Sequence, residues 1–191
     1  MAEAARVTAG SLRALRRWPY RIAQLGRALR TAVTPEDARA IGALLSAAEL
    51  QLFLAMRPRD RRHAVETMRL ARRAASEAGA VPSDDLLVAA LMHDVGKGTL
   101  RVEDRVLYVI LRAVSLRLVD RLAREPGALA VSSAHWRQAL WRLRHHAALG
   151  AALLHAAGSH PRVIELTAIH HDPPASDDRE LHWLLVADEA A

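Results

Sequence analysis

Cysteine is absent from the 191 residues, so neither disulfide bonds nor thiolate metal ligands can form. Any bound metal would therefore be held by histidine and carboxylate side chains. Aromatic residues make up only 4% of the chain and there are 9 glycines, while alanine, leucine and arginine dominate. Because runs of β-branched residues are also short, the composition is typical of an all-helical protein.

Long uncharged apolar runs are absent as well. No stretch of about 18 uncharged apolar residues occurs, so no segment is predicted to span a membrane. Residues 1–30 carry arginine throughout and lack the apolar core of a secretory signal, which makes the cytoplasm the expected location. The net charge is +6, but nearly all of the positive charge is arginine, as a GC-rich genome would also produce. We therefore do not expect a nucleic-acid partner.

A chain of this length usually forms one domain, and helical spacing of apolar residues predicts where its helices lie. Thr34-Pro35-Glu36-Asp37 and Ser46-Ala47-Ala48-Glu49 both have the pattern of a helix start. The other expected helices cover residues 59–78, 84–94, 102–124, 132–157 (as one or two helices), 161–171, and the last residues from about 176 onward.

The most informative stretch is His93-Asp94-Val95-Gly96-Lys97, which follows the apolar run of residues 86–92. An imidazole and a carboxylate at the end of a buried helix lie close together, and both are good ligands for a divalent metal. We expect Gly96 to let the chain turn sharply out of the helix. Lys97 is the only lysine in the chain, and a compact positive charge here suits a phosphate group.

Ligand-type side chains recur at helix positions that face apolar runs. A single histidine is followed by a His-Asp pair, by further histidines and by a late aspartate, and the set is His63, His93, Asp94, His146, His170 and Asp188. This order resembles the HD-domain metal-dependent phosphohydrolase superfamily in its HDxGK form, over roughly residues 59–190. The resemblance implies an all-α, single-domain helical bundle. Helices within residues 1–58 would pack on a core of residues 59–191, which carries a helical insertion at about 101–144.

The resemblance also implies roles for these residues. One metal would be held by His63, His93, Asp94 and Asp188. His146, which begins the pattern His-x-x-x-Gly, and His170 would hold a second metal, and Asp94 would bridge the two. Asp94 and Lys97 would be the catalytic residues, and Lys97 would also contact a phosphoryl oxygen of the substrate.

The adjacent pair His170 and His171 leaves a choice of ligand. Neighbours on a helix point about 100° apart, so both reach one metal only if the helix ends there. We favour His170 as the ligand and expect His171 to bind substrate phosphate or to support the ligands.

The implied function is hydrolysis of a phosphate ester, either a nucleotide or another small phosphorylated metabolite, at a site with one or two divalent ions. Mn, Fe, Mg, Ni and Zn are all compatible with histidine and carboxylate ligands. Arg59 stands where trinuclear members of the superfamily carry a glutamate, so a third metal is not expected. The alternative is a metal-binding regulatory or scaffold module with reduced turnover, for which a peripheral position at a membrane surface is allowed. It is favoured by the position of Asp188, close to the end of the sequence, where a helix is expected to fray.

The segment 102–124 carries more apolar residues than one contact face needs. We expect residues 12–29 and 40–56 to cover it, because both segments carry matching apolar stripes. A second subunit is the next choice, so an oligomer is allowed, and a membrane surface is less favoured.

Overall fold

The computed structural model describes residues 34–125, 135–174 and 177–191. Within these ranges the chain forms α-helices joined by short connections, together with one 3₁₀ turn, and no strand. The all-α prediction is confirmed. The elements are α1 (Pro35–Leu44), α2 (Ala47–Ala55), α3 (Pro58–Glu77), α4 (Asp84–Met92), the 3₁₀ turn Val95–Lys97, α5 (Val102–Val114), α6 (Leu116–Leu122), α7 (His135–Ala156), α8 (Pro161–Ile169) and α9 (Arg179–Ala190).

Local sequence signals set the starts of several helices. Thr34 caps α1 and Ser46 caps α2. In each case the hydroxyl of the cap accepts a hydrogen bond from the backbone N–H of the third helical residue, and the carboxylate of that third residue accepts one from the backbone N–H of the cap. Ser83 caps α4 in the simpler way, by accepting from the N–H of Leu86 at 3.1 Å. After α3 the chain turns at Gly79, whose φ of 70° suits a residue without a side chain.

Helix α4 forms the centre of the bundle. Its residues from Leu86 to Met92 are all buried, and α3, α8 and α9 pack around them, with α1 and α2 against the remaining side. A helix that is apolar on all sides is stable only inside the protein. Its C-terminal end therefore delivers the next residues, His93 and Asp94, into the interior.

Helices α5 and α6 form a smaller layer that packs on α7. Sequence periodicity predicted one helix over residues 102–124, and this prediction was wrong. The chain is extended at Ser115, with φ −169° and ψ 127°, so the helix breaks there and restarts at Leu116. The region 132–157, predicted as one or two helices, forms the single helix α7 within the part that the structure describes.

The apolar surface of α5 is not covered by residues 40–56, contrary to the prediction. Those residues form α1 and α2, which pack on α4, while Val106, Val109 and Ile110 are about half exposed. Residues 12–29, the other predicted cover, lie outside the described residues. The proposed boundary between residues 1–58 and 59–191 also stays a prediction.

Across the described ranges, none of the helices combines the length and the apolar character that crossing a membrane requires.

Candidate metal centre

The end of α4 places an imidazole and a carboxylate in the interior. His93 has no exposed surface, and Asp94 is 2% exposed. The Nδ1 of His93 lies 2.9 Å from the carbonyl oxygen of Ala90, so its Nε2 faces away from α4. A hydrogen bond of this kind fixes the ring orientation of histidines that ligate metals.

A first cluster of ligand atoms forms where α3 and α9 meet the end of α4. The Nε2 of His63 lies 2.9 Å from Oδ1 of Asp188, and the Nε2 of His93 lies 3.2 Å from the same oxygen. These three residues each offer an atom that could hold one metal ion. Helix α9 continues through Ala190, and the N–H of Ala191 bonds the carbonyl of Ala187 at 3.0 Å, so Asp188 stands on a formed turn.

A second cluster comes from α7 and the end of α8. The Nε2 atoms of His146 and His171 are 2.9 Å apart, and His170 completes a group that could hold a second ion. Helix α8 ends at Ile169, so the two adjacent histidines are freed from helical spacing and both reach this point. The structure thus places His171 with the ligand-type residues, beside His170, and its predicted role at the substrate stays a prediction.

Asp94 lies between the two clusters. Its Oδ2 is 3.6 Å from the Nε2 of His93 and 3.9 Å from that of His63. Its Oδ1 is 3.4 Å from the Nε2 of His146 and 4.0 Å from that of His170. One carboxylate therefore turns one oxygen toward each cluster, which is the arrangement that a bridging ligand needs.

Two histidines of the second cluster are oriented by hydrogen bonds to backbone carbonyls. The Nδ1 of His146 lies 2.8 Å from the carbonyl of Leu143, and the Nδ1 of His170 lies 2.7 Å from that of Thr167. A carbonyl can only accept, so each Nδ1 carries a proton and each Nε2 is turned toward Asp94. Burial keeps His170 neutral, so its bare Nε2 faces a carboxylate oxygen, and a cation between the two atoms would satisfy both.

Unsatisfied buried atoms support the same conclusion. Among the described residues, His93 Nε2, Asp94 Oδ1 and His170 Nε2 are buried without a hydrogen-bond partner. Buried polar atoms are rarely left so, because each costs free energy. Nitrogen and oxygen donors in this combination fit a divalent transition metal, so the residues present fit the expected cofactor.

Charges within the centre shift the pKa values strongly. Burial favours neutral groups, but Lys97 and His93 hold the pKa of Asp94 well below its usual range. Burial also opposes a charge on His93, yet Asp94 and Asp188 raise its pKa to about 9. Burial lowers the pKa of His170 to about 3, aided by the charge on His93. The first cluster therefore combines a charged His93 with carboxylates, whereas burial keeps His170 of the second cluster neutral.

Lys97 reaches back to the centre from the 3₁₀ turn. Its Nζ forms an ion pair with Oδ2 of Asp94, the oxygen that faces the first cluster. The side chains of Lys97 and His63 are each 21% exposed, whereas Asp94 is buried. The centre is thus reached from solvent on the side of Lys97, His63 and Asp188, and also at His171, which is exposed.

Gly96 has a different role from the one predicted. Among the described glycines, those with positive φ are Gly79, Gly98 and Gly158, so Gly96 does not supply the turn. A Cβ at Gly96 would lie 2.0 Å from the carbonyl oxygen of His146 and 2.5 Å from the amide nitrogen of Gly150. The missing side chain lets α7 cross directly over the 3₁₀ turn, and this crossing brings His146 to Asp94.

Arg142 is a supporting residue that the sequence did not reveal. Arg142 lies one helical turn before His146 on α7. Its Nη1 donates to the carbonyl oxygen of Gly96 at 3.4 Å, and this hydrogen bond connects α7 to the 3₁₀ turn. Helical spacing from His146 is the only sequence signal for it. His135, His155, His160 and His182, which were given no role, are exposed and outside both clusters.

Comparison with curated proteins found no match, and comparison with solved structures found none either. A family model does match: the HD domain model covers residues 61–190, which include the residues of both clusters. With well over half of its length matched, the chain belongs to the HD-domain family.

Proposed function

We propose that the protein is a metal-dependent hydrolase of a phosphate ester, either a nucleotide or another small phosphorylated metabolite. The observation that carries the proposal is Asp94, a buried carboxylate whose two oxygens face two separate clusters of ligand atoms. Divalent ions bound at such a pair of clusters lower the pKa of a coordinated water and offset charge on phosphoryl oxygens.

The residues divide between two subsites. The first comprises His63, His93, Asp188 and one oxygen of Asp94, and the second comprises the other oxygen of Asp94 with His146, His170 and His171. Imidazole is the commonest donor in both, and imidazole suits Mn, Fe, Ni or Zn better than Mg, which prefers oxygen ligands. We therefore favour a transition metal.

Lys97 is the residue that we assign to the substrate. Its ammonium group lies on the solvent-facing side of the centre and is paired with Asp94. In the loaded centre the carboxylate would ligate metal, which frees the ammonium to contact a non-bridging phosphoryl oxygen. The buried walls formed by His93 and His170 keep bulk water away from the reacting group and strengthen these charge contacts.

The test compares Asp94→Ala with Asp84→Ala, an exposed aspartate at the other end of α4. Metal content after purification and hydrolysis of a panel of phosphate esters with added manganese are measured for both. We expect Asp94→Ala to lose metal and activity, because it removes the carboxylate that faces both clusters, and Asp84→Ala to keep both.

Full metal content in Asp94→Ala would contradict the two-subsite arrangement. Wild-type protein that holds metal but hydrolyses nothing on the panel would instead support the alternative, a metal-binding module without turnover.

A further inference from the structure

Arg59 is a cation for which the described part of the chain offers no carboxylate partner, on the same helix as His63. It lies one helical turn before His63 on α3, and residues four apart share a helix face. Its side chain is partly buried, yet among the described residues it forms neither a hydrogen bond nor an ion pair with a carboxylate. The carboxylate next to it in sequence, Asp60, is occupied by Arg105, whose Nη2 lies 2.6 Å away.

The surroundings of Arg59 make its charge costly in the free protein. Burial lowers its pKa, and the nearby guanidinium groups of Arg105 and Arg62 lower it further, while Asp60 offsets this in part. Arg59 also stands in the first turn of α3, where the helix dipole disfavours a positive charge. An unpaired cation in such a place gains most from an anionic ligand.

The chain around Arg59 is held close to the motif that carries Lys97. Arg57 Nη2 donates to the carbonyl oxygen of Thr99 at 3.4 Å, and the ion pair of Arg105 with Asp60 joins α5 to the first turn of α3. His63, one helical turn after Arg59, has its Nε2 3.9 Å from Oδ2 of Asp94, the oxygen that pairs with Lys97. Arg59 thus stands one helical turn from the side of the centre that carries Lys97.

We infer that Arg59 binds a second anionic group of the substrate, next to the phosphoryl group held at the metal centre. This inference rests on the proposed function and narrows it: the substrate carries at least two phosphate or comparable anionic groups, as in a nucleoside diphosphate or a bisphosphorylated metabolite. Arginine suits this task because its planar fork donates two parallel hydrogen bonds to one phosphate.

Binding of two non-hydrolysable probes, methylphosphonate and methylenediphosphonate, to the manganese-loaded full chain tests the inference. Calorimetry gives both affinities for wild type, Arg59→Ala, Arg59→Lys and the control Arg72→Ala, which removes an exposed arginine further along α3. Metal content and thermal midpoint are measured for every variant.

We expect wild type to prefer the diphosphonate. Arg59→Ala should weaken diphosphonate binding roughly tenfold to a hundredfold, the scale of lost hydrogen bonds to a charged group, and should change methylphosphonate binding much less. Arg59→Lys should recover part of the loss, and Arg72→Ala should match wild type.

The experiment separates failure of the inference about Arg59 from failure of the proposed function. If wild type binds both probes and Arg59→Ala weakens neither, or both equally, the inference is overturned and the proposed function stands. If metal-loaded wild type binds neither probe, the proposed function fails and the inference fails with it.

Discussion

Replacing Gly96 by alanine tests the contact that brings α7, and with it His146 of the second cluster, to Asp94. The added Cβ would lie 2.0 Å from the carbonyl oxygen of His146, and real Cβ atoms essentially never approach such an atom within 3.0 Å. Both nearest atoms belong to the backbone of α7, so no flexible side chain can give way. The difference, 3.0 minus 2.0 Å, requires α7 to move by at least 1 Å.

The energetic cost follows from this movement. Overpacking of a protein interior typically costs about 1–3 kcal/mol, and a clash of backbone with Cβ belongs at or above the upper end of that range. For a chain of this length, a loss of about 3 kcal/mol corresponds to a fall of roughly 6–12 °C in the thermal midpoint. The same movement separates His146 from Asp94, so Gly96→Ala should also lose the second metal before the first.

Gly42 provides a matched control. It lies in α1 and has no atom within 4 Å of an added Cβ, so Gly42→Ala should stabilise the protein by about 0.5–1 kcal/mol. Gly150 lies on the other side of the same contact, where an added Cβ would be 3.1 Å from Cγ2 of Thr167 and 3.4 Å from the amide nitrogen of Gly96, so Gly150→Ala should destabilise the protein less than Gly96→Ala.

Urea unfolding followed by far-UV circular dichroism measures the free energy of unfolding of each of the three glycine variants. Metal titration of the folded variants measures how many metal ions each one binds. If Gly96→Ala unfolds at the same urea concentration as wild type and keeps both metals, α7 does not cross the turn at this contact, and the geometry of the centre is wrong.

Three further predictions concern other parts of the chain. Lys97→Ala should keep its metal and lower turnover by about 10²-fold, the scale of one lost charge stabiliser, whereas parallel loss of metal would make the lysine structural. Hydrogen bonds from Arg69 and Thr34 outweigh burial and lower the pKa of the Asp37 carboxyl in the folded state. The ionised carboxylate therefore stabilises the fold above about pH 4, and this stabilisation is lost as the pH falls through the pKa of the folded state. Asp37→Asn should therefore cost about 2 kcal/mol at pH 7 in urea unfolding and progressively less in acid, and a pH-independent difference would refute this assignment. For the exposed apolar face of α5 we expect a monomer by light scattering, since residues 12–29 carry a matching stripe; a concentration-independent dimer would assign that face to a subunit interface.

Local sequence signals predicted several helix starts and the buried end of α4. Capping residues such as Thr34 and Ser46 located helix starts, because the cap forms within one turn and needs no tertiary contact. The apolar run before His93 predicted a buried helix end, and the structure also brings His63 and Asp188 to that end, as the resemblance implied.

What the sequence could not show depends on contacts between distant segments. Gly96 looks like a turn residue in sequence, and only the crossing of α7 explains it. The break at Ser115 interrupts a pattern that is helical on both sides, so periodicity alone runs through it. The place of His171 depends on α8 ending at Ile169, and helix ends are the least certain feature of a sequence-based assignment.

The two clusters differ in charge, and this difference explains why both belong in one site. The first contains Asp188 and one oxygen of Asp94, so its imidazoles can share a proton with carboxylates even without a metal. The second has three imidazoles and only the other oxygen of Asp94, and burial keeps His170 neutral. Because His170 is neutral and its buried Nε2 has no hydrogen-bond partner, a cation would stabilise the second cluster. Asp94 couples the two, since a cation on one oxygen withdraws charge from the other. A cation held at one subsite would therefore change how strongly the other binds, which is the behaviour that the proposed centre with two ions requires.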